Sequence, residues 1–260
     1  MLCLLLVLGA QFSSGEEPAP DKPTKEAHAE TGEEPIVTDP AGKPYFPKGR
    51  DSYYATHYRA ANLPSMQSMQ VEKGVVRFRV GFFPSFSRPL FLSYARDTDH
   101  GVISVARLTG RLVLGEEPGT IEIQGAVRVK PEYSVGFEKR ANRPEVREPL
   151  KALDERILPL CQAADGEEWI LEVVTSDGYT MAVIRNPRDF KFLHNEFRSH
   201  FEKDIRKDPQ QHGLPESFKK YEFPELDVSE FTTFCGELLQ AVDMSIPSGE
   251  RDRLPTYRIE

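Results

Sequence analysis

The sequence predicts an α+β fold: a mainly antiparallel sheet of six to seven strands packed with three to four helices. Three observations carry this. Residues 169–175 (WILEVVT) and 179–185 (YTMAVIR) are rich in β-branched and aromatic residues and are joined by Ser176-Asp177-Gly178. That is a hairpin signal, because Gly supplies the positive φ of a tight turn. Between Val76 and Val129, apolar and polar residues alternate in several short runs, the mark of half-buried strands. Behind the hairpin, Phe190, Leu193, Phe197, Phe201 and Ile205, then Phe231, Phe234, Leu238 and Val242, recur at close to the helical period.

Taken in order, residues 1–15 read as a signal peptide. An apolar run from Leu2 to Leu8 is followed by small residues, with Ser13-x-Gly15 as a cleavage site, although the run lacks a Lys or Arg before it. The run is far too short to span a bilayer. Residues 16–44 hold six Pro, eight acids, three bases and no aromatic, a composition that predicts a disordered acidic leader. Residues 45–260 are then expected to form a single α+β domain, long enough to bury one core.

That domain opens with a short helix near residues 53–63, ended by Pro64, in which Tyr54 and Tyr58 share a face. The structural reading is a helix covering the sheet with its tyrosines. The functional reading is an aromatic ligand platform with His57 and Arg59 at its rim. Strands follow at Val76–Phe82, at 90–95, and at 102–108 with a possible extension to Leu112–Leu114. The run Ile121, Ile123, Val127 and Val129 is the most regular. The bases between Arg128 and Lys151 alternate with Glu132, Glu138, Glu145 and Glu148, which describes a solvated mixed surface. A helix is expected from about 145 to 164, with Pro159 as a kink. The hairpin comes next, with both faces weakly polar, so it reads as an inner hairpin covered on both sides. A helix over 189–207 and a final helix capped by Asp227 with Glu230 complete the chain.

The net charge of −8 argues against a nucleic-acid face. Of the six histidines, His194 and His200 share a helix but point to different faces, and no H-E-x-x-H, C-x-x-C or calcium-loop pattern occurs. No metal or cofactor is expected. Phosphate loops and the G-x-S-x-G elbow are absent from the sequence. Cys3 precedes the cleavage site; Cys161 and Cys235 remain as either a disulfide or two separate buried thiols. Glu168 and Glu172 share a strand face, about 13–14 Å apart along the backbone and so too far for a glycosidase pair. Glu172 instead reads as a half-buried acid answered by Arg79 or Arg185.

The segment DGEEWILE, beginning at Asp165, resembles one in a family of uncharacterised bacterial exported proteins. YYATHYRAANLPSM from Tyr53, FRVGFFPSFSRPLFL from Phe78 and FTTFCGELLQAVDMSIP from Phe231 are similar to that family's opening helix, first strand pair and closing helix, in the same order. The chain departs from the pattern at Gln67, Pro84 and Ser87, where relatives carry an aromatic, an arginine and a histidine. The resemblance implies a fold and an envelope location and brings no assigned activity.

The expectation is therefore an exported, soluble binding or interaction module, in the periplasm or outside the cell. Its partner would be a protein or small molecule of the cell envelope, and it would have no transmembrane segment. Candidate ligand-binding residues are Tyr54, His57, Arg79, Trp169 and Glu172, with no catalytic residue assigned. The rival is an enzyme whose site is assembled from distant residues, with Tyr54, His57, Arg79 and Glu172 gathered around a pocket. An inhibitor or immunity-type protein, docking through surface acids, is the third possibility.

Overall fold

The structure, a computed structural model, describes residues 36–47, 52–84, 88–97, 100–110, 117–157 and 166–245. The expected signal peptide, the leader up to residue 35, Cys161, the strand extension at 112–114 and the polar tail lie outside those residues.

The short α1 (Ser52–Ala60) precedes four strands in a meander: β1 (Arg77–Phe83), β2 (Leu90–Asp97), β3 (His100–Leu108) and β4 (Ile121–Val129). Helices α2 (Pro131–Ala141) and α3 (Pro144–Arg147) follow, then β5 (Glu168–Thr175) and β6 (Gly178–Arg185). Helix α4 (Phe190–His200) runs into a π-helical turn at Phe201–Ile205, and α5 (Ser229–Ser245) closes the described chain. The strand order is β4-β3-β2-β1-β5-β6, with every neighbouring pair antiparallel. The predicted α+β class with an antiparallel sheet is thus observed, with six strands among the described residues.

The hairpin forms where the sequence places it, and Gly178 takes φ +126° after the Ser176-Asp177 turn. Its strands differ, however, from the expected inner pair. β5 lies between β1 and β6 and is buried at all eight positions, whereas β6 is an edge strand, half-buried at most positions.

Strand alternation sends one set of side chains to each face. On the first face, Phe78, Val80, Phe82, Leu92, Ile103, Val105, Trp169, Leu171 and Ile184 pack with Phe137 and Val146 of α2 and α3 and with Phe231, Phe234, Leu238 and Val242 of α5. On the second, Phe83, Phe91, Ala106 and Ile170 pack under α1 and the segment carrying Tyr45 and Phe46. Leu153, Ile157, Phe201, Ile205, Phe218 and Phe223 make a smaller third cluster.

Three expectations need correction. Residues 36–44, expected in the leader, belong to the fold. Thr38 and Pro44 form a β-bridge, and the buried Asp39 carboxylate accepts the N–H groups of Ala41 (3.0 Å), Lys43 (2.8 Å) and Ser65 (2.8 Å). In the described part of the expected helix over 145–164 there is a single turn, α3, followed by turns to Ile157; the expected kink at Pro159 lies outside the described residues. Glu148 leaves the helical region (φ −136°, ψ 43°) because it precedes Pro149, whose ring clashes with a helical predecessor. Finally, the segment read as a solvated mixed surface holds α2. Pro131 occupies its first turn, and Ser134, Phe137, Glu138 and Ala141 form a buried face at helical spacing. The acid on that face is answered from below: Glu138 accepts the Tyr94 hydroxyl (2.8 Å) and pairs with Arg96 (2.8 Å).

Candidate functional site

The sequence singled out five residues, and strand parity separates them. Trp169 faces the helical layer with Phe82, its cross-strand neighbour, 5.2 Å away between ring centroids, and Phe231 6.4 Å away. Its indole N–H donates to Glu167. At 2 % exposure it is a core residue, contrary to the expected ligand contact, and its indole has no open face to offer.

Tyr54, His57, Arg79 and Glu172 lie on the opposite face, beneath α1. Arg79 and Glu172 are opposite one another in the β1–β5 ladder. Arg79 Nε donates to Glu172 Oε2 at 2.7 Å, with the side chains 1 % and 0 % exposed. Arg79 Nη1 donates to the Pro64 carbonyl at 2.9 Å, and its guanidinium carbon lies 4.6 Å from the centroid of the Tyr58 ring. The second carboxylate oxygen of Glu172 accepts the Tyr179 hydroxyl at 3.0 Å. Arg185, the other proposed partner, pairs with Glu168 instead.

This cluster binds three parts of the chain at one point: the paired strands β1 and β5, the edge strand through Tyr179, and the segment after α1 through Pro64. Burial and the neighbouring Glu172 carboxylate both push the Tyr58 and Tyr179 hydroxyls upward, so both stay protonated. Burial opposes the charge on Arg79, but Glu172 more than reverses that and holds the guanidinium protonated. Arg79 Nη2 has no hydrogen-bond acceptor among the described residues; the Tyr58 ring beneath the guanidinium supplies its electrostatic contact. Gly81 makes room for this arrangement, since a Cβ there would meet the Tyr58 hydroxyl at 2.9 Å.

His57 and Tyr54 are equally enclosed, at 1 % and 7 % exposure. His57 Nδ1 donates to the Tyr53 carbonyl at 3.0 Å, and burial lowers its pKa. Tyr54 packs edge-on against Phe83 at 4.7 Å. The four polar candidates therefore resolve into an internal ion pair and helix-packing groups, the structural reading of each.

Sequence reasoning missed Tyr58, Tyr179 and the Pro64 carbonyl as members of the cluster. Tyr58 carried a signal, its four-residue spacing from Tyr54. Tyr179 reaches Glu172 across the β5–β6 ladder of the hairpin, where it stands opposite Val174, one same-face position along from Glu172.

Cys235 is a free, fully buried thiol, and burial raises its pKa well above the ordinary value. No group of three or more His, Cys, Asp or Glu arranged to hold a metal occurs among the described residues. None of their helices is long and apolar enough to cross a membrane.

A different part of the second face is open. The layer of α1 and the Tyr45–Phe46 segment reaches across β5, β1 and β2 to Ala106 and Leu108 of β3, but leaves the stretch of β3 and β4 around Ser104 and Ala126 uncovered. Ser104, Gln124, Ala126 and Arg128 are exposed there, beside the half-buried Ser93, Ala95 and Val102. Elsewhere, surface charges interleave as exposed pairs such as Lys151–Glu148, Arg198–Glu202 and Lys219–Glu216. That mixture counts against docking through a contiguous acidic patch.

No family model matches the chain, and no curated protein matches it. A chain from crystal structures of Trypanosoma bruciei MRP1/MRP2 aligns at 16 % identity with a TM-score of 0.20, covering 60 % of this chain and 97 % of that one. A likeness that slight carries no argument about fold or function.

Proposed function

We propose that the protein is an exported binding module that engages a protein partner of the cell envelope through the open β3–β4 end of its sheet. The observation that carries the reading is the division of the second sheet face. Its polar residues under α1 are spent on an enclosed ion pair at 2.7 Å, while its β3–β4 end presents small and hydrogen-bonding side chains outward. Ser104, Gln124 and Ala126 leave a low surface that a partner backbone can approach, and Arg128 offers a charge for a partner carboxylate. The apolar run from Leu2 to Leu8, followed by small residues, supports export.

The test is capture from an envelope extract by the chain lacking its first 15 residues, compared with a Ser104→Arg/Ala126→Glu variant of unchanged melting temperature. A partner held by the parent and lost by the variant supports the reading. A partner retained equally by both overturns it, as does recovery of the protein in the cytosol with residues 1–15 intact.

A further inference from the structure

We infer that β4 is a self-pairing edge through which two copies of the chain join their sheets. The strand ends the sheet, and its outer side has no backbone partner among the described residues. An edge of this kind presents unpaired N–H and C=O groups to any strand that can lie alongside. Natural edges are commonly blunted by charged side chains, lysine above all, by proline, by a bulge or by a covering element, and in β4 the bulge and the charges lie at Glu122 and Arg128, outside the middle of the strand. The sequence of β4, IEIQGAVRV, contains neither lysine nor proline, and Glu122, Gln124, Gly125, Ala126 and Arg128 are exposed. The other edge strand, β6, is half-buried along most of its length.

Gly125 points to the occupant. It lies in the middle of the strand without a positive φ, and a Cβ added there would meet nothing within 4 Å. Neither its own backbone nor its own fold therefore demands a glycine, although glycine weakens a strand interior. Glycine in such a place suits a site where another backbone comes close.

The residues around Gly125 suit a two-fold axis through it. Antiparallel pairing about that point sets Gly125 beside its counterpart, Ile123 opposite Val127 and Gln124 opposite Ala126. Like charges do not meet. Glu122 comes level with the second copy's Arg128, for which no ion pair is found among the described residues. Glu122 is the extra residue of the bulge opposite Arg107 and Leu108 and already accepts from Arg88 (2.6 Å) and Arg107 (2.9 Å). The regular pairing about Gly125 is thus confined to 123–127, with Glu122 and Arg128 at its ends, and the dimer is expected to be a modest one. Pairing would also set two open sheet ends side by side, independently of what they bind.

Sedimentation equilibrium of the full chain from about 5 to about 200 µM tests association at the weak, micromolar end of protein affinities. The expected result is a mass rising from 29.5 kDa toward twice that value. Gly125→Lys, which sets two ammonium groups together at the axis, should keep the melting temperature and stay monomeric. Mild oxidation should cross-link Gly125→Cys chains, and should not cross-link Gly136→Cys chains, whose new thiol is equally exposed but lies on α2. A wild-type chain that stays monomeric throughout, association undiminished in Gly125→Lys, or equal cross-linking at both positions would overturn the inference.

Discussion

Arg79 and Glu172 stand opposite each other on the neighbouring strands β1 and β5, 93 residues apart in sequence, and meet at 2.7 Å with both side chains enclosed. Removing one partner strands the other charge in the core. Glu172→Ala is expected to cost about 3–5 kcal/mol, the range for breaking a buried pair from one side. The double variant Arg79→Met/Glu172→Leu should be much less damaging, because no charge is then left behind. Urea unfolding of the two variants decides the matter. A single variant as stable as the parent would show that the pair is not sealed.

Trp169 lies between Phe82 and Phe231 at the contact of the sheet with α5. Trp169→Ala is expected to destabilise by about 3–5 kcal/mol, as large aromatic truncations in cores do. Since Trp169 is the sole tryptophan, its emission should be blue-shifted in the folded protein and move to the red in a single unfolding step. Unchanged thermal stability in the variant would contradict the packing described.

Stability should fall on mild acidification. His57 and His194 both have lowered folded pKa values: burial disfavours the charged ring, and the hydrogen bonds to the carbonyls of Tyr53 and Pro224 offset this only in part. The unfolded histidines titrate near 6.5, so the unfolded chain takes up protons first as the pH falls. The stabilisation is complete above about pH 6.5 and is lost as the pH drops from there through the lower folded values. Comparing urea midpoints at about pH 7.5 and about pH 5 measures the slope, and His57→Gln should flatten it. An identical slope in His57→Gln would mean that His57 is not buried in its neutral form.

Asp39 fastens the first described segment. Hydrogen bonds from the backbone of Ser65 and Lys43 hold its carboxyl below the usual range, so the charged form is the one bound. Asp39→Ala should loosen residues 36–47 while leaving the sheet intact. The expected readout is faster proteolytic cleavage before α1 with little change in the far-ultraviolet circular dichroism. Cleavage at the parent's rate would show that the aromatic contacts of Tyr45 and Phe46 suffice.

What could be read directly were the local patterns: the Asp177-Gly178 hairpin, the alternation in β1 and β4, and the stripes of α4 and α5. Each is decided by neighbours within a few residues, where turn chemistry and side-chain period act. Prolines were harder. Pro131 opened α2 while Pro149 ended α3, and which of the two a proline does depends on the backbone before it. The Arg79–Glu172 pair was legible as chemistry, since a buried acid on a strand needs a base, but its choice over Arg185 was not. That choice rests on the β1–β5 register, set when Phe82 and Trp169 turn together toward α5. Alternation along β5 alone parts Trp169 from Glu172, and the register then sets Arg79 on the Glu172 face. Hydrophobic periodicity assigns a residue to one of two faces; pairing between strands distant in sequence decides which residues share that face, and long-range packing alone supplies that pairing.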